Sequence, residues 1–244
     1  MSTDQNDQLV LICGTSASGK SASLRNIRNQ DRWLYMNTEA GKRLPFKNKF
    51  RSARVDDPYQ VLEAFDYAIA HPDDVDGIIV DSLTFLMEMY ESKYVLTSAN
   101  GMRAWSEFQQ FFKELMQNKV IKFGKPVIFT AHTLKVLNES TGEFEVSVPI
   151  KGALKNNGVE AYFSTIVAAK KLPLKEVLEY KNDLLHVTED DQAVNFKYVF
   201  QTRLTKTTTG ERIRSPMGLF SREETLMDND AQILLDHLNK FYSE

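Results

Sequence analysis

The 244-residue sequence predicts an α/β fold: a mostly parallel central sheet covered on both faces, with a β-hairpin insertion and a C-terminal helix. Three features predict it. Short apolar runs alternate with amphipathic stretches through residue 132, the rhythm of strands joined by crossover helices. The octapeptide Gly14-Thr-Ser-Ala-Ser-Gly-Lys-Ser21 directly follows the first apolar run and leads into a helix-compatible stretch. Beyond residue 132 the pattern changes to β-prone arms separated by turn residues.

Gln8 to Cys13 is a short apolar run and reads as a buried strand. Lys20 to Asn29 reads as a helix, Trp33 to Met36 as a second strand, and the basic stretch Phe46 to Val55 holds a third short one. Asp57-Pro58 sets a capping residue before a proline suited to a first helical turn, and Val61, Leu62, Phe65 and Ile69 follow at helical spacing. Gly77-Ile-Ile-Val-Asp81 is a strand that stops on a carboxylate, and Ser82 to Lys93 continues as a helix. Met102 to Phe123 is a long amphipathic helix, and Val127 to Ala131 a strand. A hairpin is expected over 135–149 and further strands at Ser164 to Ala169 and Tyr198 to Leu204. A turn at Thr207 to Gly210 is expected to lead into an outgoing arm, Arg212 to Phe220. The chain reads as one domain over 1–244, with its core at about 8–220 and an acidic terminal helix at 228–242.

The bulk numbers exclude several classes. A net charge of −3 excludes a generally basic nucleic-acid coat and leaves room for a local basic surface. Lys197 to Arg214 carries five cations and one acid, while the residues from Glu223 onward carry six acids and one lysine. No apolar run approaches a membrane span, and the start of the chain is polar. The lone cysteine, Cys13, forms no internal disulfide. A cytoplasmic protein without a membrane partner is the expectation.

The octapeptide fits G-x-x-x-x-G-K-[ST] at every position. Gly14, Thr15, Ser16, Ala17, Ser18 and Gly19 supply a backbone that curls its N–H groups around phosphates. Lys20 supplies a charge for the β- and γ-phosphates of ATP or a related nucleotide, and Ser21 a hydroxyl for Mg²⁺. Asp81, at the end of an apolar strand, is placed to hold the same Mg²⁺ through water; the alternative is a helix cap. Strand ends of a parallel sheet converge on one ligand edge. Glu39 then stands where it can orient or deprotonate an attacking water, the alternative being a solvated loop acid. His132 ends its strand and, if that strand lies between the two motif strands, its end faces the γ-phosphate, with His132 or Thr130 as a sensor. A structural histidine is the alternative.

In the order of these elements the chain resembles a RecA-type ATPase. The resemblance rests on the phosphate loop, Asn-Thr-Glu39-Ala after the second strand, Val-Asp81-Ser82, a strand ending in a polar residue, and Lys151-Gly-Ala-Leu-Lys155. It covers residues 8 to 220 and looks closest to the compact RecA-like ATPases of phages, some of which resemble single-strand annealing and recombination proteins. It implies a RecA-like P-loop NTPase core, a catalytic Glu39, ATP with Mg²⁺, self-assembly into a filament or ring, and single-stranded DNA as partner. The implied DNA loops are Thr97–Arg103 and Lys135–Lys155, with Arg103, Lys135, Lys151 and Lys155 as contacts and Phe144 as a stacking group. It also implies a cation reaching the γ-phosphate from a neighbouring subunit, with Lys206, Arg212 and Arg214 as candidates. The sequence departs from a phosphate-tracking loop at Asn138 to Glu145, which carries Glu139, Glu143 and Glu145 and no cation.

Those acids keep a second function open, a nucleotide-switched assembly factor with no nucleic-acid ligand. A small-molecule kinase needs an arginine-rich lid, for which only Arg212 and Arg214 offer themselves. A GTPase is disfavoured because Asn-Lys-x-Asp is absent.

Overall fold

The structure is a computed structural model and describes residues 5–139, 142–152, 154 and 158–243. Its strands are β1 (Leu9–Gly14), β2 (Trp33–Asn37), β3 (Arg51–Arg54), β4 (Gly77–Asp81), β5 (Val127–His132), β6 (Leu134–Asn138), β7 (Glu143–Ser147), β8 (Thr165–Pro173), β9 (Phe196–Gln201) and β10 (Leu226–Asp228). Its α-helices are α1 (Tyr59–Ala70), α2 (Leu83–Tyr90), α3 (Gly101–Lys113), α4 (Val120–Phe123), α5 (Leu174–Val177), α6 (Glu189–Val194) and α7 (Ala231–Ser243). A π-helical turn, Glu114–Lys119, joins α3 to α4, giving the long helix that the apolar spacing predicts.

Eight strands form one sheet in the order β10-β9-β8-β1-β5-β4-β2-β3. From β8 to β3 every neighbouring pair is parallel, whereas β9 and β10 run antiparallel. The α/β sheet expected from the alternating pattern is therefore present. Period-two alternation sorts each central strand between two cores. Leu9, Leu11 and Cys13 face the core that α1 to α4 cover, while Val10 and Ile12 face the core that α7 covers. The same division holds for Leu34 and Met36 against Trp33 and Tyr35.

The structure corrects two expectations. Ser21–Asn26 is a single 3-10 segment, not a helix over 20–29. Its tertiary partners explain the stop: Arg25 Nη1 donates to the Asn229 carbonyl at 2.9 Å and the Arg28 amide to Gln232 Oε1 at 2.9 Å. These contacts hold the backbone extended at Ile27, with φ −52° and ψ 126°, and replace the next helical turn. The helix dipole expected at the phosphates shrinks accordingly, leaving the loop's own N–H groups. Second, Arg212 to Phe220 forms no strand. It meets the sheet only at an isolated bridge, Ile166 to Arg214, because Pro216 has no N–H for a ladder. β10 takes the place beside β9 instead, so the sheet includes residues beyond 220.

The predicted hairpin is present as the antiparallel pair β6 and β7. It starts one residue after β5 and leans on the 205–214 loop. The Val146 amide donates to the Gly210 carbonyl at 2.8 Å. Gly210 is required for this approach, since a Cβ there would sit 1.9 Å from the Phe144 carbonyl oxygen.

Candidate active site

Four adjacent parallel strands, β1, β5, β4 and β2, end at one edge of the sheet. β5 lies between the two motif strands, so Gly14, His132, Asp81 and the Asn37–Glu39 turn come together. The phosphate loop separates two cavities. The larger, about 740 Å³, is lined by the loop, Glu39, Lys42, Asp81 and His132. The smaller, about 510 Å³, lies between the loop, β8 and the hairpin.

Lys20 is only 6% exposed. Its Nζ donates to the carbonyls of Gly14 at 2.9 Å and Thr15 at 2.7 Å, which holds it along the loop. Burial pushes its pKa down, against the pull of the Asp81 and Glu39 carboxylates. Gly19 sits at φ +96°, a left-handed conformation that lets the loop turn under the cleft. Ser18 Oγ is buried with no hydrogen-bond partner, an unmet polar atom inside the loop. A phosphate oxygen bound there would supply what it lacks.

Asp81 is 3% exposed. Its Oδ2 accepts from Tyr35 Oη at 2.8 Å and its Oδ1 from Thr130 Oγ1. Burial first, then the Asp81 charge, raises the Tyr35 pKa, so the phenol stays a neutral donor. Each carboxylate oxygen keeps acceptor capacity after these bonds. Ser21 lines the same cleft. Among the described residues no three His, Cys, Asp or Glu gather into a ligand cluster. One hydroxyl and one carboxylate fit Mg²⁺, which keeps several waters and takes phosphate oxygens as ligands.

Glu39 is fixed on both oxygens. His132 Nε2 lies 3.1 Å from Oε1 and donates to it, because an ionised carboxylate only accepts. Lys42 Nζ donates to Oε2 at 3.1 Å. The His132 hydrogen bond, opposed by burial and reinforced by Lys42, pulls the Glu39 carboxyl down to about 2. Thr38 ties this carboxylate's turn to the Asp81 strand: its amide donates to the Asp81 carbonyl at 2.9 Å, and its hydroxyl donates to the Ser82 carbonyl at 2.7 Å. The Ser82 amide donates back to the Thr38 hydroxyl at 2.7 Å. The His132 amide donates to Thr84 Oγ1 at 2.9 Å, and Phe85 packs edge-on against the imidazole.

The sequence reading missed Lys42, Thr38 and Tyr35, and it offered Thr130 as a nucleotide sensor where the structure sets its hydroxyl on Asp81. Lys42 had a signal: it opens a run to Arg54 with six cations and no acid. It places a cation of the same chain beside Glu39, where a neighbour's cation had been the only candidate besides Lys20. Lys206, Arg212 and Arg214 are exposed; Arg212 lines the smaller cavity beside the loop, with its Nη2 3.6 Å from Glu145 Oε2 on the hairpin. Arg103 pairs with Glu107 at 2.8 Å and Lys151 with Glu91 at 3.0 Å. Lys135 Nζ stands 4.4 Å over the Phe144 ring, and Lys155 lies outside the described residues.

A family model described as an AAA domain matches residues 6–187, a span that contains Gly14 to Ser21, Glu39, Asp81 and His132. No curated protein matches the chain. With a phosphate loop, a buried aspartate and a fixed glutamate on converging strand ends, and the match covering most of its length, the chain belongs to the AAA domain family of P-loop NTPases.

Proposed function

We propose that this chain is a Mg²⁺-dependent ATP hydrolase of RecA type that binds single-stranded DNA and assembles with itself. The observation carrying the hydrolase reading is Glu39, an ionised carboxylate locked by His132 and Lys42 in the cleft that holds Lys20 and Asp81. The loop amides and Lys20 bind the β- and γ-phosphates. Ser21 and Asp81 would hold Mg²⁺, which when bound neutralises phosphate charge. Glu39, with its depressed pKa, is a weak base, so its work is to orient the attacking water rather than to keep its proton. Lys42 offsets the negative charge that grows as that water attacks.

The DNA and assembly parts draw on the RecA-type resemblance, on the Lys135–Phe144 pair on the hairpin, and on the exposed Lys206, Arg212 and Arg214. A cationic aromatic pair on a projecting hairpin suits single-strand stacking. The nucleotide-switched assembly factor keeps one favouring observation: Arg103 and Lys151 are already paired with Glu107 and Glu91.

Phosphate release with and without single-stranded DNA, at low and high salt, tests the proposal. Wild type should hydrolyse ATP faster with DNA at low salt, since phosphate contacts weaken as salt rises. Glu39→Gln should keep nucleotide binding and lose roughly 100-fold in turnover. Near-normal turnover in that variant would sink the hydrolase mechanism. Absence of both DNA stimulation and gel shift at low salt would leave the assembly factor as the better reading.

A further inference from the structure

The smaller cavity lies across the phosphate loop from Lys20, Glu39 and Asp81, which line the larger one. Its volume, about 510 Å³, is that of a pocket for a small organic ligand. Val146, Ile166, Ala168, Leu172 and Ile213 make its walls largely apolar.

Charge is sorted around those walls. Glu160 lies inside, only 6% exposed, and has no ion pair among the described residues. Its Oε1 accepts from the Val148 amide at 2.8 Å, and among the described residues no donor meets Oε2. Gly158 keeps that oxygen uncovered, since a Cβ there would lie 2.6 Å from it. A buried carboxylate without a cation carries a desolvation cost, and donors brought by a ligand recover part of it. Its charge reaches the cavity floor: after burial, it is the second cause that raises the Cys13 thiol pKa.

The free cations are on the outside. Lys135, Lys171 and Arg212 line the same cavity and are exposed. Lys135 stands 4.4 Å over the Phe144 ring and Lys171 4.1 Å over the Phe196 ring, contacts that leave ammonium donors for an anion. Arg212 meets Glu145 only at 3.6 Å. Lys170, by contrast, is held by Glu211 at 2.5 Å.

We propose that this cavity is a second nucleotide site, taking a guanine nucleotide with its base against Glu160 and its phosphate on Lys135, Lys171 and Arg212. An ionised carboxylate only accepts, so it selects an edge that carries donors side by side. Guanine has such an edge, its ring N1–H and its 2-amino group. Adenine and cytosine set a ring nitrogen acceptor beside their amino group, which a carboxylate repels. The apolar walls suit a flat ring, and several cations suit a phosphate better than a single carboxylate. Ser16, Ala17 and Ser18 line both cavities, so the occupant leans on the loop that cradles the other nucleotide. With Lys20, Glu39 and Asp81 in the other cleft, the guanine nucleotide is an effector rather than a substrate.

Calorimetric titration with GMP, AMP and CMP tests this, with the larger cleft filled by Mg²⁺ and a non-hydrolysable ATP analogue. GMP should bind one-to-one and at least about tenfold more tightly than AMP or CMP, as one two-bonded contact allows. Glu160→Gln should abolish that preference. Arg212→Ala should weaken GMP about tenfold and keep the preference, the loss of one charged hydrogen bond. Because Arg212 is exposed, its variant tests the site even if the buried Glu160→Gln fails to fold. Absence of GMP binding, equal affinities for the three nucleotides, a preference that survives Glu160→Gln, or unchanged GMP affinity in Arg212→Ala would overturn the assignment. GMP binding seen only when the ATP analogue is left out would overturn it too, since the probe would then sit in the larger cleft.

Discussion

Glu39 shows how a residue's surroundings set its chemistry. In sequence it is one acid of a short loop; in the fold two donors clamp it, and its pKa drops from 4.5 to about 2. A group whose folded pKa is depressed adds stability that is complete above its unfolded value and drains as pH falls toward the folded one. Wild type should therefore lose melting temperature more steeply than Glu39→Gln between about pH 4.5 and 2.5, where the neutral amide has no proton to gain. Thermal melts across that window check this, and parallel curves would mean that His132 and Lys42 do not hold the carboxylate. The clamp itself was half legible. Glu39 and His132 were readable as strand-end residues, because parallel strands share one ligand edge. Lys42 showed only as the first cation of a basic run, since a lysine three residues along a loop declares no direction until the turn is built.

At the scale of elements, the strands that were readable are those whose signal is local. Leu9–Gly14, Gly77–Asp81 and Val127–His132 are buried apolar runs, and each formed within one residue of the bounds read for it. The segment after Lys20 was misread because its helix-compatible residues spend their hydrogen bonds on residues near 230. The Arg212–Phe220 arm was misread because β-prone composition says nothing of which strand occupies the neighbouring lane. The hairpin was read correctly, and its seating on Gly210 was not. Gly210→Val would force a side chain into the Phe144 carbonyl. We expect a loss of about 1–3 kcal/mol, the usual cost of overpacking, together with faster proteolytic cutting in the hairpin. Urea melts and limited proteolysis measure both, and an unchanged cutting rate would mean that the hairpin is not anchored there.

Over the whole molecule, the sheet divides two cores, and the acidic end of the chain closes one of them. Leu234, Leu235 and Leu238 of α7 pack with Leu24 and Ile27, directly below the phosphate loop. Asn26 donates to Asp230, and Arg28 pairs with Asp236, so these acids serve the fold. Leu238 is fully buried, and Leu238→Ala should cost about 2–5 kcal/mol. It should also weaken nucleotide binding, because α7 holds Asn229 and Asp230 against the loop. Urea unfolding beside a nucleotide titration tests the link; full binding in a destabilised variant would break it. This arrangement spans 204 residues of sequence between Arg25 and Asn229. During synthesis the phosphate loop emerges early and waits for its floor. Until the segment around Asn229 and Leu238 has been made, Leu24 and Ile27 are open apolar surface of the kind that chaperones shield.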